Sequence, residues 1–286
     1  MQKFKTVVQA KHKFFDLKLK ETLSYKDLIF LFVKRDFVSK YKQTILGPIW
    51  AIIQPLFTTL MNFLAFGLIA KLGGYDIDSS KSVPTYLFFM AGSVCWGYMS
   101  STISSISNTF ISNASIMGKV YYPRLVSPIS SAISNLINFS INMALFIVAA
   151  IIFGILGKNT ISFSYMTPMF FVTLLQMMLF GVGTGLFLSS FTTKYRDLTH
   201  LISFGLMLLG YLAPINYGYS AIYENVGWYF MLNPVSSIVL TFKYSLFGTG
   251  YFHWFWYAYS WIFTIVMLFL GVLLFNKTER TFMDTI

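Results

Sequence analysis

Long apolar stretches separated by short polar breaks run along most of this chain. A membrane-crossing helix takes about 20 predominantly apolar residues. On that measure the pattern predicts six spans: Pro48–Ala70, Val83–Ile106, Ser127–Leu156, about Phe163–Phe191, the short Leu198–Ala213, and Trp254–Phe275. Pro48 suits a first helical turn, where its missing N–H is not needed. Pro55, inside the first span, is expected to kink it. Ahead of that span, SYKDLIFLFVKRDFVSKYK (24–42) reads as an amphipathic helix. Tyr25, Leu28, Ile29, Phe32 and Phe37 form its apolar face; Lys26, Lys34, Arg35, Asp36 and Lys40 form its charged one. Ser24 and Asp27 have capping-box spacing. A basic helix of this kind lies along a membrane surface.

Residues 213–250 break the pattern. They are too interrupted by Pro, Gly and Asn to cross once, and too apolar for a solvated loop. They predict short re-entrant helices that dip into the outer leaflet, which the membrane tolerates only where protein or water satisfies the backbone. An extracellular cap of amphipathic helices fits the same pattern.

Composition agrees with a polytopic membrane protein. Of 286 residues, 56% are hydrophobic and 11% charged, against about 25% charged in soluble domains. The net charge of +11 does not point to nucleic acid, because eleven of the 21 Lys and Arg fall within residues 1–44. That is the flank expected beside anionic lipid. With the N-terminus inside, segments 1–47, 107–126, 192–197 and 276–286 hold seventeen of the 21 cations. Both ends are therefore expected in the cytoplasm. No signal peptide is expected, since the early apolar run Leu28–Val33 is short and followed by Lys34 and Arg35.

The candidate chemistry is sparse. Cys95 stands alone, and His12, His200 and His253 lie far apart, so no disulfide or metal cluster is expected. The phosphate-binding pattern G-x-x-x-x-G-K-[ST] does not occur, so the chain has no P-loop. GVGTG (181–185) lies inside a span and reads as close helix packing. Glu224 and Lys243 are the candidate intramembrane charges, too few for proton-coupled transport. A membrane enzyme would need a convergent acidic or histidine set, which is not found. The polar content of the spans is neutral: Gln54 and Asn62 in the first, and Asn135, Asn138 and Asn142 on one face of the third. These amides fit either hydrogen bonding between helices or a path for a hydroxyl-rich solute. Between spans two and three, Ile106, Phe110, Ile111, Ile116 and Met117 are expected to form an exposed apolar turn, which needs a partner.

Five stretches carry a resemblance: KRDFVSKYKQTILGPIWAIIQPLF (34–57), MGKVYYPRLVSP (117–128), TKYRDLTHLI (193–202), LNPVSSIV (232–239) and ERTFMDTI (279–286). The chain resembles the permease subunits of bacterial ABC-2 type exporters, in particular those for polysaccharide and O-antigen. The resemblance implies the all-α ABC-2 (type V) exporter fold, with six transmembrane helices per protomer in a homodimer in the bacterial inner membrane. It divides the chain into a cytoplasmic segment 1–47, a transmembrane domain 48–275 and a tail 276–286. It implies no cofactor and no enzymatic site in this chain. ATP and Mg would be held by two copies of an ABC ATPase. The segment Ser24–Lys42 corresponds to a gate helix, with Arg35, Lys40 and Lys42 near a lipid diphosphate. Residues 108–122 correspond to a coupling helix, and Phe110, Ile111, Ile116, Met117, Lys119 and Arg124 would engage the ATPase. Residues 215–250 correspond to the re-entrant helices. The channel, at the dimer interface, is expected to be lined by Gln54, Asn62, Trp96, Tyr98, Tyr211, Asn216, Tyr217 and Tyr219. The cargo implied is an undecaprenyl-diphosphate-linked polysaccharide; teichoic acid, capsule, a drug or another lipid is the alternative.

Overall fold

The computed structural model describes residues 19–42, 44–67, 83–120, 122–158, 166–219 and 227–281. Every regular element among them is helical. In chain order these are α1 (Leu19–Ser24), α2 (Lys26–Tyr41), α3 (Trp50–Asn62), α4 (Thr85–Ser107) and α5 (Thr109–Met117). There follow α6 (Val126–Ile155), α7 (Met169–Thr192), α8 (Leu198–Leu212), α9 (Pro234–Phe247) and α10 (Trp254–Thr281). A 3-10 turn at Gly47–Ile49 leads into α3, and a π turn at Phe63–Gly67 extends it.

Four segments are both long and apolar enough to cross a bilayer: Gly47–Gly67, Val126–Ile155, Met169–Thr192 and Trp254–Thr278. The other two expected spans depart from that standard for separate reasons. α4 has 23 residues, enough for about 30 Å of hydrocarbon, but its second half is rich in Ser and Thr. It is also central, with 14 residues buried. Its hydroxyls turn back on the helix: Ser101 donates to the Tyr98 carbonyl, Ser105 to that of Ser101 and Ser107 to that of Ser104. A helix inside the bundle tolerates this polarity where its serine hydroxyls are satisfied locally. α8 is apolar but has only 15 residues, of which Leu206 alone is buried.

The core forms two clusters. The larger joins α4, α6, α7 and α9; the smaller joins α2, α5, α6 and the inner end of α10 around Phe110, stacked on Phe275 at 4.8 Å. α7 lies between α4 and α10, and its glycines set both distances. A Cβ on Gly181 or Gly185 would press the Thr102 or Ile106 side chain, while one on Gly183 would meet Leu268 backbone. The packing expectation for GVGTG is thus met on two faces.

Several local expectations change. Ser24 does not cap α2. It donates to the Glu21 carbonyl at 2.6 Å and closes α1, and Tyr25 occupies the cap position without a side-chain bond. α3 continues through Pro55. Gly47 has φ +52, a conformation few other residues adopt cheaply, and it separates α2 from the first span as its place before Pro48 suggested. α10 continues six residues past Phe275 into the expected tail. Glu224, Lys71, Lys81, Asp76, Asp78 and residues 1–18 and 282–286 lie outside the described residues.

Candidate functional site

Two regions bring the sequence candidates together. The first is the corner where α2 meets α5. Ile29, Phe32 and Val33 share one side of α2 by helical spacing and are buried, packed with the start of α6. Phe32 meets Tyr122 edge-on at 5.6 Å. Phe30, Leu31 and Val38 are exposed on the opposite side. So α2 carries apolar surface on both sides, and the single apolar face read from the sequence was incomplete.

Arg35 is committed within the chain. Its Nη1 donates to Asn113 Oδ1 on α5 at 3.1 Å, its Nη2 to Asp36 at 2.8 Å, and its guanidinium lies 4.5 Å from the Phe32 ring centroid. The expectation that placed Arg35 at a lipid diphosphate missed this tether between gate and coupling segments. Burial pushes the nearby Tyr122 hydroxyl to a higher pKa, opposed by its bond with Ser127 and by Arg35 and Arg124. Because Arg35 is 40% exposed, water screens the tether. A double-mutant cycle on Arg35→Ala and Asn113→Ala is expected to give a coupling of about 1 kcal/mol in thermal stability. Additive losses would mean that the bond does not hold the two helices together.

Only part of the expected coupling surface faces outward. Phe110, 1% exposed, and Met117, 5% exposed, anchor α5 in the inner core, and Ile106 is likewise buried. These three cannot present an exposed turn, which corrects that expectation: their spacing turns them toward α6 and α10. Ile111, Ser115, Lys119 and Val120 remain at the surface, with Ile116 and Arg124 half-buried.

The second region is a polar cavity of about 240 Å³ between α3, α4 and α6. Gln54, Ser93, Asn135, Asn138 and Asn142 line it, and Lys40 joins them where α2 leads into α3. The interhelical reading of the Asn face holds at Asn135. Asn135 donates to Ser105 Oγ at 2.8 Å and Asn138 to the Ser134 carbonyl at 3.2 Å, yet the same residues wall a cavity. Asn62 donates to Ser93 at 3.3 Å. Burial draws the Lys40 ammonium below the ordinary lysine range. Lys42 is exposed at the end of α2.

The remaining channel candidates scatter. Tyr98 is 2% exposed and packs on Phe139 at 5.4 Å, so it belongs to the core and does not line a channel in this structure. Gln54 is exposed on the wall of the cavity, and Asn62 is half-buried against Ser93. Trp96 borders an apolar cavity behind α8. Tyr211 is exposed, and its carbonyl accepts from the Tyr217 hydroxyl at 3.0 Å; Tyr219 stacks on Tyr251 at 3.5 Å. Asn216 is half-buried and its Oδ1 has no hydrogen-bond partner. Near them α9 is buried along twelve of its 14 residues, with Asn233 accepting from Val235 N at its start and Gly248 at φ +67 ending it. Lys243 donates to the Pro214 and Ile215 carbonyls, both at 2.8 Å.

The described residues form an all-helical bundle with several helices long and apolar enough to cross a membrane, and a surface helix tethered to a short one beside it. The family comparison agrees: the model described as "ABC-2 type transporter" matches residues 27–247, and the chain belongs to that family. Its members are transport components that work with an ABC ATPase subunit. Relatives include an O-antigen export system permease protein RfbA of Klebsiella pneumoniae, 26% identical over 270 residues, covering 94% of this chain and 98% of that protein. A protein of the same name from Myxococcus xanthus is 24% identical over 228 residues, covering 79% and 82%.

Proposed function

We propose that the chain is the permease of an exporter that moves a lipid-diphosphate-linked polysaccharide of O-antigen type across the bacterial inner membrane. Six helices, α3, α4, α6, α7, α8 and α10, cross the bilayer with both chain ends in the cytoplasm. α9 and the 3-10 turn at Gly227–Leu232 form the re-entrant outer closure. Two copies pair, and the exposed apolar sides of α3 and α8 supply surface for that pairing and for a channel between protomers. The Arg35–Asn113 tether is the observation that carries the reading. It links the helix nearest the proposed ATPase to the helix that leads into the first span, so a push on α5 reaches α3. The names and full-length similarity of the relatives support the cargo.

Co-reconstitution with the partner ATPase tests this. Turnover is expected to rise with undecaprenyl-diphosphate-linked polysaccharide; stimulation by a drug or teichoic acid instead would overturn the cargo assignment. In the same system, Ile111→Asp places a charge on the exposed side of α5 without entering the core. ATP hydrolysis is expected to persist while export falls about ten-fold or more, and unchanged export would remove α5 from the coupling path.

A further inference from the structure

The cavity between α3, α4 and α6 has a chemistry that the channel and the coupling corner do not use. Bilayer-spanning helices seldom surround polar space, because each buried donor or acceptor needs a partner. Here the Gln54 side chain is exposed and that of Asn142 half-buried, both on the cavity wall, and neither hydrogen-bonds to another described residue. Each carries two N–H donors and a carbonyl acceptor. Pro55, also on the wall, offers no N–H to the Ala51 carbonyl one turn earlier. Asn135, Asn138 and Asn142 therefore begin a ladder about 10 Å long that presents donors and acceptors together. At about 240 Å³ the cavity is smaller than the roughly 300–1,000 Å³ of drug-sized ligand pockets, room for one hydroxylated ring rather than a polymer. No acidic side chain lines it, and its one charged member is Lys40.

We propose that this cavity is a subsite for a single glycosyl phosphate: the sugar hydroxyls pair with the amides of Gln54 and Asn142, and the phosphate lies at Lys40. Amides suit hydroxyls because a hydroxyl both donates and accepts. A cation would find no counter-charge in the lining, and a hydrocarbon chain would leave the amides unsatisfied. An anion beside Lys40 would favour its charged form, against which partial desolvation works. The subsite rests on the lipid-linked polysaccharide reading above and deepens it, placing the sugar next to the carrier inside each protomer rather than between protomers. Two sources share this chemistry, the headgroup of a glycosylated polyprenyl diphosphate and a free sugar phosphate.

The test uses the full chain with its ATPase in phosphatidylethanolamine–phosphatidylglycerol vesicles. Ser93→Cys places a thiol on the cavity wall, and its labelling by a small water-soluble methanethiosulfonate is timed; the buried native Cys95 is checked in the unsubstituted chain. Hexosyl polyprenyl diphosphate is expected to slow labelling about ten-fold, the sugar-free polyprenyl diphosphate about two-fold or less. Equal slowing by hexose 1-phosphate would support the subsite with a free sugar phosphate as its source. Asn142→Leu, or Lys40→Gln at the exposed rim should the first fold poorly, is expected to remove most of the protection. Labelling slowed no more by either sugar probe than by the sugar-free lipid overturns the subsite. Should that result accompany normal polymer export, only the subsite fails. Protection by hexose 1-phosphate without export of any lipid-linked glycan would instead retain the subsite and sink the exporter reading.

Discussion

Replacing Lys243 by Met is expected to lower the thermal midpoint of the detergent-solubilised protein by roughly 5 to 15 °C, corresponding to about 2–4 kcal/mol. α8 ends at Leu212, and the chain then turns through Ala213, Pro214 and Ile215 in the core. The carbonyls at a helix end have no intrahelical donor, and none is available from hydrocarbon. Lys243, 3% exposed, reaches across from α9 and donates to the Pro214 and Ile215 carbonyls of the turn beyond that end, while its ammonium lies 3.5 Å from the Phe88 ring centroid. Met keeps the length and the apolar stem but offers no donor. The Pro214 and Ile215 carbonyls would each lose a charged partner, at about 1–3 kcal/mol apiece. Relief of the ammonium's own desolvation offsets part of that. Lys243→Arg, which retains donors, is expected to lose less. A Met variant as stable as the parent would show that water or a rearranged turn satisfies those carbonyls.

This role was only half legible in the sequence. Lys243 stood out as a charge in an apolar region, which marks a functional candidate by default. Its partners are backbone carbonyls about thirty positions earlier, and no spacing rule reveals them. The same limit explains the α2–α5 corner. The residue pattern showed α2 as an amphipathic helix and α5 as an apolar turn, with a helix there implied only by the family resemblance, and it did not show that Asn113 would face Arg35. Phe110 and Met117 were read as exposed because the segment is short and flanked by polar residues. Their burial follows from how α5 folds under α6 and α10, a long-range fact. In contrast, Gly47-Pro48, the GVGTG stretch and the Asn face of α6 act through local geometry, and these the sequence expressed directly. The hydroxyls of α4 lowered its hydropathy without keeping it out of the core, because Ser100, Ser101, Ser105 and Ser107 bond back to carbonyls of their own helix.

The inner scaffold and the outer helices differ in how much change they should tolerate, and Gly183→Leu is expected to expose that difference. At Gly183 a Cβ would lie 2.6 Å from Leu268 N and Cα. Backbone cannot swing aside as a side chain does, so α7 and α10 must separate. On the other helix, a Cβ at Gly271 would press on the Gly183 carbonyl and come within 3.1 Å of Phe187 N. Separation would also break the Gln176–Ser260 hydrogen bond of 2.8 Å that joins the same two helices. Overpacking a side-chain core costs about 1–3 kcal/mol; a clash with backbone belongs at or above the top of that range. The variant is therefore expected to yield little monodisperse protein on fluorescence-detected size exclusion, and Gly183→Ala an intermediate amount. Gly205→Leu serves as the control, since a Cβ there meets nothing within 4 Å, and should leave yield unchanged. Normal folding of Gly183→Leu would mean that α7 and α10 can slide apart without loss. α7 and α10 would then not form a rigid frame for the rest of the bundle.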